Sequence, residues 1–585
     1  MRFAALLLCT TAFAQPPTFL LPDDVVPKKH SIDLTIDPAK DTFDGVARID
    51  VELKKTTSII WINAKDIAPL EASVGKQKAR AEVVGGEFMG LNLNAPAGPG
   101  ATTISIRYQG KLDEKAIVGP YRKKVGDDWY VFTSFTPIDA RRAFPCFDEP
   151  RFKTPWEMTI HVKRTDKAFA NGKELHEIDE PGGMKAVHFA RTEPLPAEVV
   201  AFTVGPFDTT ETAKAGRGTP VRVLAPKGLA AEGKAALLAS VDVLPRLETY
   251  TGIPYPFGKL DHLADPEFPF GATENPGLIV YRLRSLLATP EEETAEKIRA
   301  IRRVESHEMA HQWFGDMVTQ ATWDDVWLSE GFATWLSAKI MDEYESPARK
   351  HLGAVAARER IMTTDNSPRT RPVRRTMHSR DDTKDVYNQM VYQKGGAILL
   401  MLEGWLGEDK VHAGLRAYLK AHQFGTASTA DLESALAAAA GRDPAPVMDS
   451  FLNQTGVPSV SAELRCTSSG ATVSIQHVGR ETVPVCVRGN GVEQTCSTNE
   501  SIALKSCPAW IYVNSGATGY YRTEWTLAQL NTLDISALTA AERLTLVYDL
   551  RALKPRVDVA AYLTKLTSDA EPEIAKAAGE AIQAK

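Results

Sequence analysis

The sequence has no excess of basic residues: 68 Lys and Arg stand against 74 Asp and Glu in 585 residues, a formal charge of −6. A protein that grips a phosphate backbone usually shows the opposite imbalance, so nucleic acid is not an expected partner. No internal apolar run approaches the roughly 20 residues that span a bilayer as a helix, so no transmembrane segment is expected. Glycine is ordinary at 40 residues, which excludes a collagen-like chain. Cysteine is scarce at six, and no two are spaced C-x-x-C. What is present suits a folded chain. The residues are 43% hydrophobic and include 10 Trp, 21 Phe and 15 Tyr, which excludes a disordered polymer. The length predicts about three to five domains.

The first fourteen residues read as an export signal. Arg2 supplies the positive charge, Phe3 to Cys9 a short apolar core, and Ala12-Phe13-Ala14 an A-x-A cleavage site before Gln15. The plainer reading, a buried N-terminal helix, does not explain an A-x-A followed by Gln-Pro-Pro. A periplasmic or extracellular location is therefore expected, without lipidation, because Leu6-Leu7-Leu8-Cys9 lacks a small residue before the cysteine. Cys466, Cys486, Cys496 and Cys507 fall within 42 residues. An even cluster in an exported chain predicts two disulfides, with three pairings open. A structural zinc site is the other reading, weakened by the missing C-x-x-C. Cys146 stands alone in Phe-Pro-Cys-Phe and is expected to be a buried small hydrophobe.

The pattern of apolar residues changes along the chain. From about 24 to 208, apolar and polar residues alternate in short runs such as Ser31 to Asp37 and Phe43 to Leu53, as in antiparallel strands with one solvated face. From about 209 to 454 helical stretches dominate, among them Glu291 to Phe314, Asp324 to Glu343 and Val386 to Leu406. Strands return near 455, and the tail from 527 is rich in Ala and Leu, with Thr539 and Glu542 spaced as a capping box. The expected architecture is multidomain α+β. A signal at 1–14 precedes an N-terminal antiparallel β domain at 15–208 and a catalytic α/β domain at 209–454. A small β-sandwich at 455–526 and a short helical tail at 527–585 complete the chain.

The central motif is His307-Glu308-Met309-Ala310-His311. Histidines at i and i+4 project from one face of a helix and can hold one metal. Ile301, Val304, His307, His311 and Phe314 form one stripe, so the imidazoles are expected to face inward. Alone, the pair is also compatible with two satisfied core histidines. Eighteen residues separate His311 from Glu330, which falls on the apolar face of a second helical pattern, together with Trp327, Thr334 and Met341. A buried carboxylate needs a cation or a strong hydrogen-bond partner. Two histidines and a glutamate are a catalytic zinc set with a fourth position for water, one zinc per chain. Zinc lowers the pKa of such a water toward about 7 and polarises a carbonyl. Glu308, beside a ligand but pointing elsewhere, is the candidate general base. The chemistry predicted is metal-assisted hydrolysis of an amide.

His307 to Gly315, followed by Trp327-Leu-Ser-Glu-Gly-Phe332, resembles the aminopeptidase N type of zinc metallopeptidase, the gluzincins, of which leukotriene-epoxide hydrolase is a relative. Gly271-Ala-Thr-Glu-Asn275 is similar to that family's exopeptidase motif. Asp139 to Pro150, Val391-Tyr-Gln-Lys-Gly395 and Thr518-Gly-Tyr-Tyr-Arg522 resemble further family segments, in the family's order. The resemblance implies a thermolysin-like catalytic domain and peptide substrates with a free N-terminus. Glu274 would then grip the substrate's α-amine, mostly charged at neutral pH. Gly271 and Ala272 would run beside the substrate as an edge strand does. Tyr392 would donate its hydroxyl to the tetrahedral oxyanion.

Two departures from the family pattern stand out. Thr136 takes the place where relatives carry a Gln or Glu that helps hold the amine, so that subsite should be less negative. About 60 residues follow Tyr521, where relatives have a large helical domain, which implies a more open cleft or one covered by another subunit. A zinc endopeptidase or epoxide hydrolase on the same scaffold is a rival reading, opposed by Glu274, because internal peptide segments offer no amine. A non-catalytic, zinc-stabilised peptide-binding protein is another, but it has no chemical need for Glu308, Glu274 and Tyr392. The preferred first residue and the oligomeric state are not written in these motifs.

Overall fold

A computed structural model describes residues 15–583 apart from 469 and 481. The proposed signal at 1–14 lies outside the described residues. The chain divides into two compact units: residues up to Phe207 together with His378–Arg380, and the remainder from Asp208 onward.

The first unit is built on a ten-stranded sheet and a four-stranded sheet. Alternation in the sequence becomes alternation of burial. In Thr42–Leu53, every second residue from Phe43 to Leu53 is buried while its neighbours face outward. Of these, Phe43, Ile49, Val51 and Leu53 each contribute about 1.5–3 kcal/mol by leaving water. Pairing is mostly antiparallel, but Val25–Thr35 runs parallel to Trp156–Lys163, with His30 opposite Trp156. Alternation specifies which face is buried and says nothing of strand direction, so this pairing could not be read beforehand.

The segment Asp139 to Pro150 has a structural task here. Arg141, 4% exposed, donates from Nε to Asp148 Oδ2 at 2.8 Å and from Nη1 to Glu87 Oε2 at 3.1 Å. The Asp148 amide donates to Asn63 Oδ1 at 3.0 Å, and the Tyr108 hydroxyl to the Ala143 carbonyl at 2.9 Å. Cys146 is a buried free thiol within the same knot. A guanidinium out of water is tolerable only with its carboxylates in place.

In the second unit, Thr219–Pro226, Leu260–Asp265 and Leu278–Arg282 pair in parallel, and Ala272–Thr273 closes one edge antiparallel to Leu278–Arg282. Leu260–Asp265 is buried along its whole length, as expected of a parallel strand covered on both faces. Helix Lys234–Thr251 packs on this sheet and on helix Ala295–His311, which packs in turn on Trp327–Asp342. A buried polar chain ties these layers. The Ser240 hydroxyl meets His262 Nε2 at 2.9 Å and Glu305 Oε2 at 3.1 Å, and His262 Nδ1 meets the Tyr281 hydroxyl at 3.0 Å. Helix Ala295–His311 is thereby linked to the strand beside Ala272.

Beyond Leu452 the same unit continues into a four-stranded and a three-stranded sheet. Cys466 is bonded to Cys507, and Cys486 to Cys496. This chooses one of the three pairings and removes the structural zinc reading, since no thiolate is left to ligate. Helix Ala540–Leu553 begins with the Thr539–Glu542 capping box and packs on helix Leu352–Asp365. Among the described residues, no helix is long and apolar enough to cross a membrane.

Asp148→Ala is expected to destabilise the chain by about 3 kcal/mol or more, because Arg141 is left buried with half its partners. Urea unfolding measures this, and a shift under 1 kcal/mol would mean that the ion pair does not hold the first unit.

Candidate metal centre

Helix Ala295–His311 starts at Thr294, whose hydroxyl accepts the Lys297 amide, and ends on His311. His307 and His311 stand one turn apart, with Nε2 atoms 3.2 Å from each other. Helix Trp327–Asp342 brings Glu330 against them, its Oε2 lying 3.3 Å from each Nε2. Donors at about 2.0–2.1 Å from a tetrahedral zinc are separated by about 3.3–3.4 Å, so the three edges match that ion. The chemistry of the set fits as well. Glu330 Oε2 is buried, with no well-aligned hydrogen bond on it, and the two imidazole nitrogens that would share an ion with it are its neighbours.

The remaining ring nitrogen of His311 is also specified. Nδ1 lies 2.9 Å from Ser329 Oγ and 3.2 Å from the Phe314 carbonyl. A carbonyl can only accept, so Nδ1 carries a proton, and Nε2 is the nitrogen left to ligate a metal. Gly315 makes this possible. Its φ is +127°, and a Cβ there would collide with the Ser329 hydroxyl.

Two more carboxylates converge on the same space. Ligand atoms of Glu274, Glu308 and His311 lie within 4.8 Å of one another. Glu274 follows the edge strand and is 8% exposed, so it is no surface acid. Its Oε2 accepts the Thr273 hydroxyl at 3.1 Å. Its carbonyl accepts Gln312 Nε2 at 2.7 Å, and the same Nε2 donates to Asp316 Oδ2 at 2.9 Å. Gln312 follows His311 directly, so it ties the end of the histidine helix to the backbone that carries Glu274.

The electrostatics are those of a site short of positive charge. Burial opposes a charged His311, but the carboxylates of Glu274, Glu330 and Glu308 outweigh it and raise the imidazole to about 10. Burial would raise Glu330, yet His311 and His307 bring it down to about 2. Glu308 is pushed well above the ordinary carboxylate value, first by burial, with His311 opposing and Glu274 and Glu330 adding. Tyr392 lies on the π-helical turn Met390–Lys394, its ring 6.0 Å from that of His307 and nearly parallel. Burial, then Glu330, raises its phenol well above the usual value, so it stays a donor.

The structure thus gathers His307, His311, Glu330, Glu308, Glu274 and Tyr392 in the second unit, with Gly271 and Ala272 on the adjoining edge. Thr136 belongs to the first unit, where its hydroxyl donates to the Glu198 carbonyl at 3.4 Å. Sequence reading missed Ser329, Gln312 and Gly315, although all three lie inside the quoted motifs. Only the folded distances show what they hold.

A two-histidine, one-glutamate metal site with further acids and a tyrosine around it defines a metallohydrolase type of centre. Family comparison makes this specific. Residues 26–198 match the peptidase M1 N-terminal domain, and residues 235–451 match the peptidase family M1 domain. The chain belongs to the peptidase M1 family, the aminopeptidase N type of metallopeptidase. It is 30% identical to aminopeptidase M1 of Arabidopsis thaliana over 581 residues, covering 91% of this chain and 65% of that protein. It is 30% identical to the mitochondrial aminopeptidase 2 of Saccharomyces cerevisiae over 580 residues, covering 92% of this chain and 59% of that protein. With aminopeptidase A of Gloydius brevicauda it shares 30% identity over 465 residues, covering 77% and 48%. The chain spans less than two thirds of the length of each of these relatives.

The relatives correct the location expected from the sequence. One that matches along nearly the whole chain is a mitochondrial protein, so export to the periplasm or the extracellular space does not stand. The physical reason is the weakness of the signal. One Arg, a short apolar run and an A-x-A make a pattern that composition alone produces. The two disulfides are features of the fold and do not restore the assignment.

Ser329→Ala removes one of the two groups that orient His311. Affinity for a divalent metal is expected to fall about tenfold, read by competition with a chelator of known affinity. An unchanged affinity would mean that the Phe314 carbonyl alone orients the ring.

Proposed function

We propose that the chain is a zinc-dependent aminopeptidase that hydrolyses the N-terminal bond of peptides with a free α-amine. The observation that carries this reading is the convergence of three buried carboxylates, Glu274, Glu308 and Glu330, on two imidazoles. A divalent ion and one protonated amine supply the positive charge that such a group demands. His307, His311 and Glu330 would hold the zinc. When bound, it supplies a Lewis acid for the scissile carbonyl and makes a water acidic enough to attack.

The rest is work for the chain's own side chains. Glu308, made more basic by burial, takes the proton of the attacking water and returns it to the departing amine. Tyr392 keeps its proton and donates it as a hydrogen bond to the oxyanion. Glu274 binds the substrate ammonium at a fixed distance from the histidines, because Gln312 bonds its carbonyl. One residue fits between amine and scissile bond, so cleavage counts from the N-terminus. Ala272–Thr273 is the last strand of its sheet, and its open side, with Gly271, suits an extended peptide. In this reading 209–454 is a thermolysin-like catalytic domain, 455–526 a β-sandwich and 527–585 a helical tail.

Two variants test the reading with aminoacyl fluorogenic substrates and their N-acetylated counterparts. Glu274→Ala is expected to lower kcat/KM for free-amine substrates by about 100-fold, the worth of a lost buried ion pair, and to leave the blocked ones nearly unaffected. Equal losses on both would refute the amine anchor. Glu308→Gln is expected to keep stoichiometric zinc while kcat falls by about 100-fold or more. A near wild-type rate would remove Glu308 as the base.

A further inference from the structure

The segment that carries Tyr392 is unusual. Met390–Lys394 is the one π-helical turn among the described residues, inserted directly ahead of helix Gly395–Leu406. Such turns are rare because they hold an extra residue, and surroundings must define them. One side is defined by backbone contact. A Cβ on Gly331 would meet Gly395 Cα at 3.2 Å and the Val391 carbonyl oxygen at 3.3 Å. Gly331 follows the ligand Glu330 and Val391 precedes Tyr392, so this contact sets how far the tyrosine stands from the metal ligands.

The other side is defined by Lys394, the last residue of the turn. Its side chain is fully buried and pairs with fully buried Asp365 at 2.9 Å. Its ammonium also donates to the Gln454 carbonyl at 2.8 Å. Asp365 is fully occupied. Oδ2 accepts the Tyr520 hydroxyl at 3.1 Å, and Oδ1 accepts the Gly456 amide at 2.9 Å and the Thr370 hydroxyl at 3.4 Å. With those acceptor positions filled and no exposure, neither Lys394 nor Asp365 has capacity for substrate.

We propose that the buried Lys394–Asp365–Tyr520 network is a positioning device for Tyr392, acting on the reaction through the placement of that hydroxyl and not by touching substrate. It rests on the reading of Tyr392 as the oxyanion donor. Taking two ions out of water costs several kcal/mol each, and a matched apolar pair would stabilise the fold as well. What the ion pair adds is direction, because the ammonium has to meet two acceptors at once. A hydrogen-bond donor to a transition state needs such accuracy, since a shift of about 1 Å costs roughly 100-fold in rate. The network also explains the Thr518–Arg522 motif, which lies far along the chain from the histidines yet delivers Tyr520 to Asp365.

A double-mutant cycle with an aminoacyl fluorogenic substrate tests this on the zinc-loaded full chain. Tyr520→Phe removes a single hydroxyl. It is expected to lower kcat about fivefold or more with KM and the unfolding temperature nearly unchanged. In a Tyr392→Phe background the same change should add less than about twofold, because the group being positioned is gone. A second variant, the double substitution Asp365→Leu with Lys394→Met, also strands the Gly456 amide and the Tyr520 and Thr370 hydroxyls, so it should lower the unfolding temperature and, assayed below it, still lose kcat. Equal losses from Tyr520→Phe in both backgrounds, or no loss in the first, would overturn the positioning role while leaving Tyr392 as donor. An undiminished kcat in Tyr392→Phe itself would overturn the oxyanion reading, and the network's role with it.

Discussion

Three carboxylates held out of water within reach of two imidazoles are the constraint on which the rest of the site depends. Left alone, Glu274, Glu308 and Glu330 repel one another, and burial penalises each of them. The effect appears in the groups nearby: His311 is pulled up, and Glu308 and Tyr392 are pushed up. A cation is the partner that such a cluster is suited to hold, and His307, His311 and Glu330 converge closely enough to share one.

The scaffold converts this charge problem into geometry. The histidines and Glu330 sit on two packed helices, whose backbones cannot drift apart without opening a core that contains Trp313, Phe314, Trp327 and Phe332. Glu274 comes from the sheet, and two buried polar chains join sheet to helix. One runs through Gln312 to the Glu274 carbonyl. The other runs through Glu305, Ser240, His262 and Tyr281. Tyr392 comes from a third element, held by glycine contact on one side and a buried ion pair on the other. Each contributor is therefore located by backbone contacts or buried polar contacts, which is what preorganisation requires.

Much of the fold could be read from the chain. Period-two alternation placed the strands of the first unit, and the stripe through Ile301, Val304, His307 and His311 placed the helix, which begins at Ala295 instead of Glu291 because Thr294 caps it. The stretch Val386 to Leu406 read as one helix, yet Tyr392 lies on a π turn. A shift of one residue per turn leaves no trace in apolar spacing. The parallel pairing of His30 with Trp156 was invisible for a similar reason, since pattern encodes face and not direction. The export expectation failed because it rested on a short local pattern, with no contact or chemistry to discipline it.

By itself the sequence singled out His307, His311 and Glu330, which the fold brings together, and pointed to the class of chemistry. His307, Glu308 and His311 are one turn of one helix, and Glu330 is an acid on an apolar face, so local geometry and the cost of a buried charge were enough. Only the tertiary structure decided how Ser329 turns His311, how Gln312 ties Glu274 to the histidine helix, which cysteines pair, and how Lys394 and Asp365 brace Tyr392. Those relations join residues that are distant along the chain or that face one another at a particular angle. Angle and distance are products of packing, which no one-dimensional pattern carries.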